Sequence, residues 1–462
     1  MMADVFMLKP VVLWSDVLIF VLVAALAAFF WQLRANPVAA ARWAQVFRSR
    51  AGLSAFVVIL FYVMIALLDS LHYRTPLAQT EGSEEIHYSQ DVHSVLDWVL
   101  SDLTAKDEKT YSSPFSLYSF AKENMQDESG NVYRDFPRLQ NAGSHLAEEA
   151  HHNTDIAQRT FRAVLAGVLL SAVLIALHQV FLRVRQAQPA ATRVPWWSAY
   201  ITLSLLLVAS ALMLKLSEVY HVFGTDQVGK DVLYQSIKAV RTGVLIGTLA
   251  TLLTLPIAII LGISAGYFKG WVDDVVQYIY TTLSSIPGIL LIAASVLLID
   301  VYIETHPEDF NLVAYRADFK FLALCFILGM TSWTGLCRLL RAETLKVSQL
   351  DYVQAAHAFG VSHMRIIFRH ILPNVTHIIL ITLVLDFSGF VLAEAVLSYI
   401  GVGVDASMNS WGNMINEARG ELSRDPVVWW SVSAAFVMMF VLVLAANIFS
   451  DRVRDALDPR SR

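Results

Sequence analysis

Few residues in this chain have the types and spacing that could do chemistry. His145 with Glu149, and Glu148 with His152, are i, i+4 pairs, the spacing by which one helix face presents two metal ligands. Two ligands fall short of the three or four that a closed site needs, so solvated helix-surface residues account for them more cheaply. Cys325 and Cys337 lie in one apolar run, about 18 Å apart if it is helical, and cannot pair. No G-x-x-x-x-G-K-[ST] phosphate loop occurs: the nearest approach, Gly224 to Lys230, is followed by Asp231 where the motif needs a hydroxyl. ATP hydrolysis by the usual loop is therefore excluded. Asp386 and Glu394 stand in another apolar run, spaced to lie on a similar helix face. Acids inside a membrane are costly and face protein or water; the role of Asp386 is open.

The elements that must position these residues are long and apolar. A chain of 462 residues, 56% hydrophobic and 16% charged, is too apolar for a soluble protein and reads as an integral membrane protein. Net charge is −5, and no basic run points to nucleic acid. Runs able to cross the roughly 30 Å hydrocarbon core fall at about 12–31, 52–69, 162–182, 197–216, 238–267, 274–300, 319–338, 374–400 and 427–449. The N-terminus shows no basic leader or cleavage site, so the first run is expected to be a retained span. Arg34, Arg42, Arg48 and Arg50 follow the first run, and Arg183, Arg185 and Arg193 the third, without an acid in either loop. Basic loops stay in the cytoplasm, which places the N-terminus outside and the C-terminus, with Arg452, Arg454, Arg460 and Arg462, inside. Trp31, Trp196, Trp197, Trp429 and Trp430 sit at run ends, as an interfacial belt requires. Pro256 and Pro287 interrupt apolar helices, and Ser284 and Ser285 can re-satisfy freed backbone groups there; packing feature and hinge are equally good accounts.

An acidic external region follows the second run, about residues 70–160, with Glu81, Glu84, Glu85, Asp91, Asp97 and Asp102. Val92, Val95, Leu96, Val99, Leu100 and Leu103 recur at helical spacing, and Ser113 before Pro114 reads as a helix start, which predicts a small helical cap. Near the other end of the chain, Ser348 to Asn374 is a polar, basic segment between apolar runs. Ser348 with Asp351 reads as a capping box, Gly360 as a left-handed helix end, and Ser362 as the cap of a second helix carrying Arg365 and Arg369 until Pro373 interrupts it.

On Gln354, Ala355, Ala356, Gly360, Leu372 and Pro373 this segment resembles the EAA loop of importer-type ABC permeases, which docks on the ATPase subunit. The family's usual glutamate is Gln354 here, which would replace a salt bridge by a neutral hydrogen bond. His221–Val232 resembles the GTD-x-x-GRD signature of the dipeptide and oligopeptide branch, with Gly224, Thr225, Asp226, Gly229 and Asp231 matching and Lys230 in place of the arginine, a change that keeps charge but loses the planar fork. Ala393–Met414, which contains Glu394, and the tail Arg454–Arg460 match the same branch.

The resemblance covers about residues 197–462 and implies an all-α membrane protein: a six-helix type I importer permease core preceded by three N-terminal helices and the small helical insertion. The expected organisation is two helices within 1–69, the insertion at 70–160, a third helix and linker at 161–196, and the permease domain at 197–462 with its coupling loop at 348–374. The function implied is that of a non-catalytic translocation subunit in a bacterial inner membrane. Its partners would be a second homologous permease, two ATPases that hold ATP and Mg, an external substrate-binding protein, and lipid; this chain itself would bind no cofactor. Peptides are the expected cargo, while nickel chelates, opines and short glycans are carried by similar permeases. The insertion is expected to contact the binding protein or the partner permease. An ion-coupled transporter using Asp386 and Glu394 would leave the 348–374 segment unexplained. A receptor or enzyme with its site in the external cap lacks a nucleophile constellation or adequate metal cluster.

Overall fold

A computed structural model describes residues 8–35, 37–77, 87–127, 131–146, 149–184 and 194–457. In chain order the elements begin with strand β1 (Lys9–Val11) and helices α1 (Trp14–Ala35), α2 (Pro37–Arg48) and α3 (Arg50–Asp69). The insertion carries β2 (His72–Arg74), β3 (His93–Ser94), α4 (Val95–Val99), α5 (Ser101–Thr104), β4 (Glu123–Gln126) and β5 (Val132–Asp135). Then come α6 (His152–Val184), α7 (Trp196–Ser217), α8 (Val232–Phe268), α9 (Gly270–Ser285), α10 (Gly288–Thr305) and α11 (Val313–Val347). The chain continues through α12 (Asp351–Ala358), α13 (His363–Ile366), α14 (Leu372–Tyr399), α15 (Trp411–Ala418) and α16 (Trp430–Leu457).

Among the described residues nine helices are long and apolar enough to cross a membrane, one for each apolar run. The sixth begins at Gly288 rather than near 274. Ile286, held extended before Pro287 (φ −90°, ψ 130°), ends α9, as the residue before a proline tends to do. Pro256, by contrast, sits inside an unbroken α8.

The chain divides into two compact units. One comprises Met1–Ile19, Phe47–Thr242 and Met408–Ala445; the other comprises Phe20–Val46, Gly243–Ser407 and Ala446–Arg462. In the first, α7 packs against both α3 and α6. At Gly167 the two helices of the second pair touch so closely that an added Cβ would lie 2.7 Å from the Cα of Val208, the small-residue approach by which membrane helices gain packing contacts. In the other unit α11 packs against α9, α10 and α14. The bidentate pair of Arg341 with Asp273 (2.5 and 2.7 Å) joins α9 to α11.

The insertion departs from a purely helical cap. The Val92–Leu103 periodicity does form α4 and α5, with a capping box between Ser94 and Asp97 starting the first. Its other described residues before α6 form turns and strands, with β2 paired between β1 and β3 and β4 paired with β5, all antiparallel. Ser113 starts a turn closed by the Ser116 N–H on the Ser113 carbonyl, not a helix. A two-turn periodic stretch is too short to propagate beyond its own cap without a packed apolar face.

Candidate functional site

The 218–231 loop is built by its own backbone. Gly224 (φ 69°) and Gly229 (φ 82°) take left-handed conformations. The Asp226 carboxylate accepts the N–H groups of Val228 and Lys230 at 2.9 Å each and the Gln235 amide at 2.5 Å. Asp231 caps α8 by accepting the N–H groups of Leu233 (2.8 Å) and Tyr234 (3.2 Å).

The insertion covers much of this loop. The Glu108 N–H donates to the Gly229 carbonyl (3.0 Å) and the Thr225 N–H to the Ser112 carbonyl (3.1 Å). The Thr225 hydroxyl donates to Thr110 O and accepts from the Ser112 N–H. Gly224, Thr225, Gly229 and Asp231 are consequently buried, while Lys230 is exposed. Trp430 is buried as well and donates its indole N–H to the Thr225 carbonyl (2.9 Å). It belongs to this cluster rather than to an interfacial belt, whereas Trp31, Trp197 and Trp429 are exposed as a belt needs.

Two buried charge clusters complete the arrangement. In the first, His221 Nδ1 lies 2.7 Å from Asp231. Its Nε2 lies 3.7 Å from Glu108, beyond hydrogen-bond range, so that carboxylate acts as a neighbouring charge. Burial opposes protonation of His221, but the bond to Asp231 and the two negative charges overcome it and push its pKa up to about 9. Burial likewise opposes ionisation of Glu108. His221 and the N–H groups of Asn141 and Gln140 nonetheless hold its carboxyl below the usual range. Lys106 donates to the carbonyls of Ser217 and Glu218.

In the second cluster, Lys238 of α8 meets Asp69 (2.6 Å) at the end of α3, and Asp97 (2.8 Å) and Ser94 (3.1 Å) of the insertion. The Tyr234 hydroxyl donates to Asp97. One turn on, Arg241 donates to Asp16 (2.6 Å), Ser15 (2.7 Å) and Ser70 (3.2 Å), and Asp16 also meets His72 at 2.8 Å. Sequence reasoning missed His221 as a charge partner and both cations. Their signal was a Lys and an Arg three residues apart at the start of an apolar run, which demanded acids from elsewhere.

The 348–374 element has the expected turn but different boundaries. Ser348 is the C-cap that closes α11, not the N-cap of the next helix, and α12 starts after Leu350 without a side-chain cap. Gly360 (φ 73°) ends α12 in a Schellman arrangement: the Val361 N–H donates to the Ala356 carbonyl and the Gly360 N–H to that of His357. Ser362 takes the N-cap backbone conformation before α13 but makes no capping bond. Pro373 does not end the second helix. A π-turn at Ile367–Ile371 widens the coil, and one apolar helix runs from His363 to Tyr399. A wide turn relieves the clash between a proline ring and the carbonyl four residues back.

Val353, Ile366, Ile371 and Val375 bury one side of this element in a core shared with Tyr280 and Leu340. Gln354, Ala355, Arg365, Arg369 and Pro373 are exposed, and Ala356 and Leu372 half-buried. Phe359 (86% exposed), Met364 and Phe368 (64% each) stand beside them. The sequence reading passed over these three, although large apolar residues in a polar segment off the core-facing spacing are the mark of a contact surface.

Glu394 is buried and accepts the Ser398 hydroxyl (2.7 Å), whereas Asp386 is half-buried. His145 lies in a turn and pairs with Asp155 (3.0 Å), so it shares no helix face with Glu149, which bonds Tyr118. Glu148 lies outside the described residues. Among the described residues no group of three or more potential metal ligands occurs.

These features define a multi-pass helical membrane protein with a polar signature loop on one unit and a glycine-hinged contact element on the other. Residues 258–462 match the family described as "Binding-protein-dependent transport system inner membrane component". The chain is 30% identical over 246 residues to the oligopeptide transport system permease protein OppC of Haemophilus influenzae, covering 53% of this chain and 72% of that one. It is 32% identical over 240 residues to the glutathione transport system permease protein GsiD of Pectobacterium atrosepticum, covering 52% and 73%. The chain therefore belongs to this family: it is a permease subunit of a binding-protein-dependent ABC importer and a multi-pass inner-membrane protein, of a class that is normally non-catalytic. The matched family segment begins at residue 258, so the insertion and the 218–231 loop lie outside it. Among solved structures, an inward-facing form of the MetNI methionine ABC transporter covers 49% of this chain and 97% of its own, at 14% identity and a TM-score of 0.39.

Proposed function

We propose that the chain forms half of the translocation path of an ATP-driven importer of short peptides. Its relatives are named for oligopeptides and for glutathione, itself a tripeptide, which favours peptides over the other cargoes. In this reading a second homologous permease completes the path, an external binding protein delivers cargo, and two separate ATPases hold ATP and Mg. The N-terminus is outside, the C-terminus is in the cytoplasm, and the 348–374 element docks on an ATPase. The observation that carries the reading is the exposed trio Phe359, Met364 and Phe368 around a Schellman glycine, an apolar surface that a lone cytoplasmic element would not keep.

Gly360→Val tests it. No atom lies within 4 Å of the added Cβ, so the change acts through the left-handed backbone alone. ATP-dependent uptake of a labelled tripeptide should fall at least tenfold, with the chain still inserted. Unchanged uptake, or failure of the unmodified chain to copurify with an ATPase, would sink the reading. For orientation, Ser144→Cys should label with an impermeant thiol reagent in intact cells and Ala358→Cys should not, both with Cys325 and Cys337 replaced by serine.

A further inference from the structure

The insertion could be a lid that swings off the 218–231 loop or a fixed part of it, and the contacts decide between these. The loop's glycines leave no gap: an added Cβ at Gly229 would lie 1.8 Å from the Glu108 carbonyl oxygen, and one at Gly224 would lie 2.3 Å from that of Ser112. Both ends of the insertion are tied down. At its entry Asp69 and Ser70 bond Lys238 and Arg241, and at its exit Asp155 accepts the Tyr220 hydroxyl (2.8 Å). Between them, lifting the insertion would part Glu108 from His221 and Asp97 from Lys238, so each of these cations would lose one of the two acids that face it, a costly loss for charges held largely out of water. A lid needs a hinge whose own bonds can be given up, and neither end offers one.

We propose that the insertion is a permanent wall of the external mouth, with His221 and Lys238 as positioning residues that hold it over the loop throughout transport. The proposal rests on the importer reading above, in which the 218–231 loop, with Asp226, Lys230 and Asp231, lies at the external mouth of the path, but the contact itself can be tested without it. The Ser112 and Thr225 side-chain oxygens lie 3.1 Å apart, close enough that sulfurs in their places come within reach of a disulfide.

The test is Ser112→Cys with Thr225→Cys, in a chain whose Cys325 and Cys337 are serine. In resting membranes the pair should crosslink nearly completely under mild oxidation, whether or not the chain is an importer; little crosslinking overturns the proposal. The ATPase turnover of the complex purified with the oxidised chain should then stay within twofold of the same variant after reduction. Turnover that is lost on oxidation and restored by reductant would make the insertion a lid.

Adding Lys238→Met should slow crosslinking at least fivefold while the amount of inserted chain is kept, and Lys238→Arg should restore the rate. A fall in inserted chain with an unchanged crosslinking rate would reduce Lys238 to a folding residue and overturn its positioning role. If the crosslink forms but no ATPase copurifies, the importer reading fails and the wall stands.

Discussion

The 218–231 loop and the 348–374 element are both glycine turns that lead into a long apolar helix, yet they satisfy their surroundings in opposite ways. In the first, the polar groups that the glycine turns expose are met by the same chain: Glu108, Thr110 and Ser112 of the insertion, Trp430, and the side chains of Asp226 and Asp231. In the second, one side is packed into an apolar core and the other presents Phe359, Met364, Phe368, Arg365 and Arg369 outward. A region that satisfies itself is built to stay put. A region that leaves aromatic surface and fixed charge in the open has the makings of a contact surface, which the proposed function assigns to an ATPase.

The sharpest way to break this comparison is at Lys238. Lys238→Met leaves Asp69 and Asp97 buried without their cation and should destabilise the chain by about 3–5 kcal/mol, read as a lowered thermal midpoint in detergent. Adding Asp69→Asn and Asp97→Asn should recover most of the loss. A single variant as stable as the parent would mean that the loop side is not held by charge. At the other region the same measurement should barely move: Phe359→Ser with Phe368→Ser should leave stability within about 0.5 kcal/mol. ATPase copurification should instead weaken by at least tenfold, since buried aromatic anchors each contribute about 2 kcal/mol or more at interfaces.

A pH series sharpens the contrast further. His221 is raised from 6.5 to about 9, so its contribution is fully present below about pH 6.5 and is lost as pH rises through 9. Glu108 is held below 4.5, so its contribution is present above that value and lost as pH falls through the lower folded one. The thermal midpoint should therefore be highest between about pH 4.5 and 6.5 and fall toward pH 10. His221→Asn should give a lower curve that is flat across the alkaline limb; an unchanged alkaline fall would shift the titration to another group. The smallest effect is expected at exposed Gln354. Gln354→Glu would add at most about 1 kcal/mol of salt-sensitive attraction to a basic partner surface, seen as slightly tighter ATPase binding at low salt only.

What could be read before folding was local. All nine apolar runs became candidate membrane helices, because a stretch of some twenty apolar residues has few alternatives in lipid. The left-handed turn at Gly360 was also legible, because the conformation selects the residue. Boundaries that depend on one hydroxyl or one proline were not. Ser348 ended a helix where its sequence neighbours promised a start, and Pro373 was carried through by a π-turn whose only advance sign was an apolar run continuing beyond it.

The sequence by itself thus determined the membrane class, the number of long apolar helices, the turn at Gly360 and the family resemblance, since each rests on composition or on interactions within a few residues. Only the tertiary structure decided which acids meet Lys238 and Arg241, that His221 lies between Asp231 and Glu108, and that the insertion packs over the signature loop. Those partners lie far apart along the chain, 169 residues for Lys238 and Asp69 and 225 for Arg241 and Asp16. A buried cation announces that it needs an acid, but which one it finds is settled only when separate helices and loops have packed and closed off water.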